Sequence, residues 1–414
     1  MVYNKNRVVV TGLGVLAPNG IGINPFWRTL IEGKSSIGTV THFDASKLKS
    51  RIAGEIKNFK PEDYIPKKSK PHRLARHTQL AIAASLLAIK DATLTSELLA
   101  EFAPILVLTG VSTSALDLLY RSASTMEKHG YSHATPYVVS GTPPQAIASS
   151  ISDLINVRCQ SVTVSTACAA GLDAIGQAYQ EIKSGKAEIA VTGGADAPIS
   201  PVPFANLAAA GMASSQNNAP EKASRPFDAK RDSGIISEGA GIVILENLET
   251  AIARGNRPYL EIKGYASNMD TDSSQPASGL AGAMEMALAN AAKTYLDIDY
   301  ISAWGPSHPI LDRVETEMIK KIFHKKAYSI PVSSIKGVIG NPLAAAGAIQ
   351  LISCALAIRN KEIPPTANYE FPDEYCDLDY VPVKSRKINI RSALVNAHGI
   401  GGGNSSLIVE SFES

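Results

Sequence analysis

Short apolar runs recur along the chain, and most of them stop at a glycine or another small turn residue. They cover residues 7–14, 105–108, 161–165, 188–192, 259–263, 300–303, 330–333, 392–395 and 406–409. Runs of this length, bounded by turn residues, predict buried strands. Apolar residues at helical spacing predict a helix over 79–92, and Ala-rich stretches predict two more over 169–183 and 342–360.

The order of these elements predicts an α/β fold. One predicted helix with short joints separates the strands at 161–165 and 188–192, which is the pattern of a parallel βαβ crossover. The segments 168–176 and 341–349 both open an Ala- and Gly-rich helix after a buried strand. This similarity indicates an internal duplication with two halves, residues 1–250 and 251–414. Because no flexible linker separates them, we expect the halves to pack as one rigid body.

Composition excludes several classes of protein. Hydrophobic residues make up 45% of the 414 residues and charged residues 19%, so global disorder is excluded. A net charge of only +2 gives no electrostatic basis for binding nucleic acid or for a polybasic membrane anchor. The chain has no apolar run of about 18 residues and no apolar stretch after its charged start. We therefore expect neither a membrane span nor a secretory signal, and a cytoplasmic location.

The cysteines point to chemistry at one position rather than to a disulfide framework or a zinc site. Four cysteines are too few for a disulfide framework in a chain of this length. Neither CxxC nor HExxH occurs, which argues against a zinc site. Cys168 falls where a predicted strand turns into a predicted helix, and the free N–H groups of a helix start stabilise a thiolate. Cys168 is therefore a candidate nucleophile. The alternative is a buried structural cysteine.

A second candidate element is the glycine-rich turn at 396–404, between two predicted strands. Its glycines allow backbone N–H groups to approach an oxyanion closely. The turn lacks GxGxxG followed by a helix, which makes a dinucleotide site a poor interpretation. The alternative is an ordinary hairpin turn.

Motifs along nearly the whole chain resemble those of the β-ketoacyl-acyl-carrier-protein synthases, the elongating ketosynthases of the thiolase superfamily. They include Ser-Thr-Ala-Cys-Ala-Ala-Gly at 165–171, Thr-Gly-Gly-Ala-Asp at 192–196, Arg-Pro-Phe-Asp at 225–228, Ser-Ile-Lys at 334–336 and Gly-Ile-Gly-Gly at 399–402. The resemblance implies a thiolase-like duplicated fold of five layers, α-β-α-β-α, and a dimer.

The resemblance also implies a reaction. Cys168 would accept an acyl chain from the phosphopantetheine arm of an acyl carrier protein, with no cofactor bound to the chain itself. Decarboxylation of a malonyl thioester would then give the carbanion that attacks the acyl-cysteine. The backbone N–H groups of Cys168 and Ile400 would form the oxyanion hole, Ile400 would stand at the acyl gate, and Lys336 matches the family's lysine.

The site departs from the family at both catalytic histidines. Trp304 stands at the position of the first and Asn341 at that of the second, while Gln350 stands where a glutamate is usual. In the usual motif Phe-Gly-Phe-Gly-Gly, His398 stands at the first phenylalanine and Ile400 at the second. Several changes therefore fall on one pocket while the surrounding motifs stay intact.

Each replacement has two interpretations. Asn341 can donate hydrogen bonds, or it can cap a helix whose first residue is Pro342. Trp304 can donate its indole N–H, or its bulk can fill the space for malonate. His398 can restore an imidazole near Cys168, as can His308, although a solvated loop position is favoured for His308.

These observations favour an acyltransferase of the 3-oxoacyl-carrier-protein synthase type. It would form carbon–carbon bonds in fatty-acid or polyketide assembly, with an atypical Cys-Trp-Asn site. One alternative is acyl transfer to another nucleophile without decarboxylation. The other is a non-catalytic partner that resembles a chain-length factor and pairs with an active ketosynthase. The expected partners are acyl carrier protein and a second ketosynthase chain, in a homodimer or a heterodimer. The basic run at 66–77 is either a solvated face or a docking site for the acidic carrier protein.

Overall fold

The structure, a computed structural model, describes residues 7–412. The inference about the charged start rests largely on residues 1–6, which lie outside the described residues. The strands are β1 Val8–Ala17, β2 Gly20–Ile21, β3 Gly38–Thr39, β4 Ile52–Ala53, β5 Ile105–Gly110, β6 Cys159–Val164, β7 Ile189–Asp196, β8 Gly239–Asn247, β9 Leu260–Met269, β10 Tyr300–Ser302, β11 Val332–Ser333, β12 Glu362–Ile363, β13 Arg386–Lys387, β14 Ser392–Gly399 and β15 Gly403–Ser411.

The helices connect these strands and cover their faces. They are α1 Ile23–Ile31, α2 Arg76–Asp91, α3 Ser96–Glu101, α4 Leu116–His129, α5 Tyr137–Gly141, α6 Ala146–Ile155, α7 Ala170–Lys183, α8 Pro201–Ala209, α9 Pro220–Ala223, α10 Leu248–Ala253, α11 Leu280–Asn290, α12 Pro309–Phe323, α13 Lys336–Ile339 and α14 Ala345–Asn360. Among the helices of residues 7–412, none combines the length and apolar character that crossing a membrane requires.

Two five-stranded arrays repeat one topology. The first has the order β1-β8-β7-β5-β6, antiparallel from β1 to β7 and parallel from β7 to β6. The second, β9-β15-β14-β10-β11, has the same directions at the same places. A short pairing of residues 8–10 with residues 260–262 joins the two arrays. The repeated order confirms the duplicated α/β fold, and we propose that the halves divide near residue 250.

Alternating apolar side chains explain why helices cover both faces of each array. In β5, Leu106 and Leu108 face the central core, whereas Ile105 and Val107 face an outer one. Helices α7 and α14 lie in the central core, α2 and α6 cover the first array, and α11 and α12 cover the second. The result is the five-layered arrangement that the resemblance implies.

Small residues at the starts of the central helices are required by close packing. A Cβ atom added at Gly171, in the first turn of α7, would lie 2.1 Å from the carbonyl oxygen of Ala344. Ala344 directly precedes α14. The Ala- and Gly-rich stretches that indicated a duplication therefore let the two helix starts meet in the middle layer.

Several predictions need correction. The strands near 161–165 and 188–192 are parallel, as predicted, but β5 lies between them. The helix predicted from residue 342 begins only at Ala345, and the strand predicted at 330–333 is reduced to two residues. Strand β8 and helices α11 and α12 were not predicted. Strand β8 was missed because its glycine-rich start resembles a turn. Helix α12 was missed because histidine, an unusual capping residue, caps its start.

His77 of α2 is fully buried, and neither of its ring nitrogens has a hydrogen-bond partner among the described residues. Burial lowers its pKa from 6.5 to about 4. Between these values the unfolded chain binds a proton that the folded chain does not, so stability falls as pH falls from about 6.5 to about 4. The shift corresponds to about 3 kcal/mol.

We expect His77→Leu to remove this loss of stability. Urea unfolding of wild type and variant at several pH values should show the variant gaining about 3 kcal/mol relative to wild type between pH 6.5 and pH 4. His72→Leu, at an exposed position of the same segment, is the matched control. A constant difference between wild type and His77→Leu across this range would contradict the assignment.

Candidate active site

One cavity of about 450 Å³ brings together most of the side chains singled out in the sequence. Cys168, Trp304, Asn341, His398 and Ile400 all line it. Cys168 follows a strand of the first array, and the other four residues follow or end elements of the second half. The cavity therefore lies where the two halves meet. Lys336 does not line it, but lies behind Trp304.

A strained turn holds Cys168. The residue lies in the 3-10 turn Ala167–Ala169, between β6 and α7. Ala167 has a φ of 51°, a left-handed conformation that residues with a side chain adopt only when their surroundings impose it. The preceding Thr166 donates its hydroxyl proton to the buried carboxylate of Asp173, which also accepts a hydrogen bond from Tyr265 on β9. Both halves thus fix the turn.

Two backbone N–H groups act on the sulfur of Cys168 and favour its thiolate. They belong to Cys168 itself and to Ile400, in the turn between β14 and β15. These are the two groups expected to form an oxyanion hole. A Cβ atom added at Gly399 would lie 2.6 Å from the carbonyl oxygen of Thr166 and 3.1 Å from the nitrogen of Cys168. Only glycine lets the turn approach the nucleophile this closely.

The thiol of Cys168 is protonated at neutral pH. Burial raises its pKa to about 12, and the negative charge of Asp196 acts in the same direction, against the effects of Lys336 and the two N–H groups. The backbone N–H groups therefore favour the thiolate, but burial outweighs their effect. Because the thiol keeps its proton, a nearby base has to remove it when sulfur attacks.

Asp196 was not singled out as a site residue, yet its negative charge acts on the thiol of Cys168. Its carboxylate accepts hydrogen bonds from the backbone of Ser112 and Thr113 and, at 2.9 Å, from the nitrogen of Ala344. Burial raises its pKa to about 6. This carboxylate therefore ties the first half to the start of α14. Its place in the motif at 192–196 was the only available signal.

Trp304 is buried against His398, with ring centroids 4.9 Å apart and ring planes at 65°. Its indole nitrogen has no hydrogen-bond partner within residues 7–412. Its backbone nitrogen donates to Glu315 at 2.9 Å, and its carbonyl oxygen accepts a hydrogen bond from the ammonium of Lys336. Lys336 and Glu315 thus fix the backbone of Trp304, while its indole N–H is enclosed in the wall of the cavity without a hydrogen-bond partner among the described residues.

Gln350 keeps the space behind Trp304 polar. Its side-chain oxygen accepts a hydrogen bond from Lys336 at 3.3 Å, and its nitrogen donates to three backbone carbonyl groups. Burial lowers the pKa of the Lys336 ammonium, while the charge of Glu315 raises it. Because Gln350 is neutral, it contributes no charge to balance that of the Lys336 ammonium.

Asn341 does not cap a helix. Its backbone nitrogen and oxygen pair with Ile235 and Ser237, and α14 begins only at Ala345. The capping interpretation is therefore wrong, because the chain is still extended at this position. The side-chain oxygen of Asn341 is buried without a hydrogen-bond partner in the described part of the chain. The side-chain nitrogen is not enclosed in this way, and Asn341 lines the cavity.

Two histidines line the same cavity in different roles. His308 was expected in a solvated loop, but it is half-buried and caps α12. Its Nδ1 atom accepts hydrogen bonds from the backbone nitrogens of Ile310 and Leu311, so the neutral ring carries its proton on Nε2. His398 makes one hydrogen bond, from Nδ1 to Asn404 at 2.9 Å. Burial lowers the pKa of both imidazoles.

The arrangement has the parts needed for acyl transfer to sulfur. It offers a thiol, two N–H donors for the oxygen of an acyl group, and neutral imidazoles in a cavity closed on one side. The amide oxygen of Asn341 and the indole N–H of Trp304 add polar groups that have no hydrogen-bond partner in the described part of the chain.

Comparison with known proteins agrees with this geometry. The model of the β-ketoacyl synthase N-terminal domain matches residues 5–251, and that of its C-terminal domain matches residues 259–370. The chain is 38% identical to 3-oxoacyl-[acyl-carrier-protein] synthase 2 of Synechocystis, over 99% of both chains. The ishigamide ketosynthase/chain length factor has a similar structure, with a TM-score of 0.92 and 29% identity over 99% of this chain and 100% of the other. A second similar structure is a type II polyketide acyl-carrier protein in complex with its ketosynthase bound to the hexaketide. Its TM-score is 0.90 and its identity 32%, over 99% of this chain and 100% of the other.

The close approach of Gly399 to Cys168 can be tested by adding one methyl group. We expect Gly399→Ala to lose about 1–3 kcal/mol of stability and to move the Ile400 N–H away from the sulfur, because backbone atoms occupy the space for Cβ. Thermal unfolding and the rate of Cys168 alkylation by iodoacetamide, followed by peptide mapping, measure both effects. At Gly403 a Cβ atom would make only ordinary contacts, so Gly403→Ala is the control. Equal behaviour of the two variants would contradict this account of the turn.

Proposed function

Because the chain belongs to the β-ketoacyl synthase family, we propose that it accepts acyl chains on Cys168 and joins them to an extender unit carried by an acyl carrier protein. The observation that supports this most directly is the pair of backbone N–H groups, of Cys168 and Ile400, that point at the Cys168 sulfur. A thioester oxygen formed there would accept hydrogen bonds from both, as a tetrahedral intermediate requires. The proposed product belongs to fatty-acid or polyketide assembly.

The first half-reaction transfers the acyl group to sulfur. The Cys168 sulfur attacks the thioester carbonyl, a base takes the thiol proton, and the phosphopantetheine thiolate leaves and is then protonated. No bound cofactor is needed, because the carrier protein brings the substrate on its own arm. Ile400 has 60% of its surface exposed at the tip of the turn beside the cavity. We assign it the role of acyl gate, with a smaller side chain than the phenylalanine of the family.

The second half-reaction would use unusual donors. Decarboxylation of a malonyl group leaves an enolate whose oxygen needs hydrogen-bond donors. Trp304 offers its unpartnered indole N–H, and Asn341 offers an amide that is not used in helix capping. Neither side chain is an imidazole, and the indole also occupies part of the space. We therefore propose slow decarboxylation by this chain alone.

Two surfaces suit the proposed partners. Within residues 7–412, strand β6 pairs only with β5. Its residues Gln160, Ser161 and Val162 are exposed, which leaves an edge for a second ketosynthase chain. In the basic run at 66–77, Lys67, Lys68 and Lys70 are exposed and suit an acidic carrier protein, whereas His77 is buried and Arg76 pairs with Glu238. The run is therefore only partly a solvated face.

A second candidate function is that of a partner subunit. The observation that favours it is Trp304, whose buried ring lies where the family has a catalytic histidine. In that case an active ketosynthase chain would supply the condensation, and Cys168 would be a remnant. Acyl loading of Cys168 separates the two proposals, because a remnant cysteine would not turn over acyl groups.

We expect the intact mass of the protein to rise by one acyl group after incubation with acyl-carrier protein, and Cys168→Ala to abolish the increase. Cys354→Ala, at another fully buried cysteine, is the control and should load normally. An adduct that persists in Cys168→Ala, or no adduct in wild type with or without a co-expressed ketosynthase, would contradict the proposed function.

We also expect Trp304→His combined with Asn341→His to raise CO₂ release from malonyl-carrier protein by on the order of 100-fold, the usual effect of one preorganised donor. Release of labelled CO₂ by wild type, both single variants and the double variant measures this. Cys168→Ala in the wild-type background reports release that is independent of acyl loading. Rapid release by the wild type would show that the indole and the amide suffice as donors.

A further inference from the structure

His398 and Asn404 face each other across the hairpin of β14 and β15. The strand register pairs His398 with Asn404 and Asn404 with Asn268 on β9, so the three side chains form a row across three strands. Asn404 is fully buried, and His398 is nearly so. The proximity of the imidazole and the amide is therefore set by backbone pairing.

The hydrogen bonds of Asn404 settle which atom of its amide faces His398. Its nitrogen lies 2.8 Å from Oδ1 of Asp270 and 3.0 Å from the carbonyl oxygen of Gly402, two atoms that only accept hydrogen bonds. It also lies 3.2 Å from the side-chain oxygen of Asn268. The amide oxygen must then face His398, at 2.9 Å from Nδ1. An oxygen of this kind only accepts, so Nδ1 carries the proton.

The other nitrogen of the ring is consequently the one without a proton. Within residues 7–412, Nε2 of His398 makes no hydrogen bond and is not among the fully enclosed polar atoms. His398 lines the cavity together with Cys168. A protonated thiol and a neutral imidazole in one cavity are the starting state for general-base catalysis.

We propose that Asn404, held by Asp270, is the positioning residue that keeps Nε2 of His398 unprotonated and open to the cavity, where it takes the proton of the Cys168 thiol. This inference rests on the proposed acyl loading of Cys168. As the carbon–sulfur bond to Cys168 forms and the bond to phosphopantetheine breaks, the proton passes from sulfur to Nε2. It then passes to the departing phosphopantetheine thiolate, so the imidazole is neutral again at the end.

The pKa shifts are consistent with these roles. Burial holds the pKa of the thiol high, so sulfur keeps its proton until a base takes it. Burial lowers the pKa of the imidazole, although the hydrogen bond to Asn404 and the charge of Asp270 act in the opposite direction. The imidazole is thus neutral and able to accept a proton.

The test is a double-mutant cycle on the rate of acyl loading, followed by intact mass. His398→Phe should slow loading by on the order of 100-fold. Asn404→Ala should slow acyl loading by on the order of tenfold. This is the lower end of the effect usually seen when a residue that orients a functional imidazole is removed. The double variant should be no slower than His398→Phe, because Asn404 acts only through His398. Asn290→Ala, which removes an exposed asparagine whose amide donates to the backbone of β9, is the control.

A second measurement on the wild type does not depend on how the variants fold. Nitrogen NMR of ¹⁵N-histidine-labelled protein should show Nδ1 of His398 protonated and Nε2 unprotonated. A proton on Nε2, an Asn404→Ala rate equal to that of Asn290→Ala, or additive effects in the double variant would overturn the proposal. If the wild type loads no acyl group, the proposed function fails, and the NMR tautomer alone then decides whether Asn404 positions the imidazole.

Discussion

The site depends on the contact between two turns that come from opposite halves of the chain. The turn at 166–168 presents the thiol, and the turn at 399–403 presses against it so closely that no side chain fits at Gly399. This contact aims the N–H of Ile400 at the sulfur and places His398 beside the cavity. The contact is possible because α7 and α14, one from each half of the duplicated fold, begin side by side in the middle layer.

Changes in the cavity leave this frame intact. Lys336 and Glu315 still hold the backbone of residue 304, although the side chain there is now an indole. Gln350 bonds three carbonyl groups and Lys336, so glutamine is fully used where the family has glutamate. We propose that the replacements inferred from the sequence alter the groups offered to a substrate and not the residues that support them. The imidazole in the cavity comes from His398, whose ring lies against the indole of Trp304.

Much of the fold could be predicted from the sequence because buried strands of this class are short apolar runs closed by glycine. Strand β8 escaped because its glycine-rich start resembles a turn, and the order of β5, β6 and β7 is set by long-range pairing that no local pattern encodes. In the site, Cys168 and Ile400 could be found from motifs. Asp196 lies in a motif as well, but its contact with Ala344 could not be predicted, nor could the contact of Asn404 with Asp270, because these partners lie far along the chain and only the folded strands bring them together. The same limit explains the error at Asn341, where a good capping residue pairs through its backbone instead.

The central claim is that an acyl group on Cys168 rests against two backbone N–H groups, one from each half. A crystal structure of the protein after incubation with acyl-carrier protein tests it most directly. The account predicts a thioester on Cys168 whose oxygen lies within hydrogen-bond distance of the nitrogens of Cys168 and Ile400. An acyl group on another residue, or a thioester oxygen turned away from both nitrogens, would contradict it.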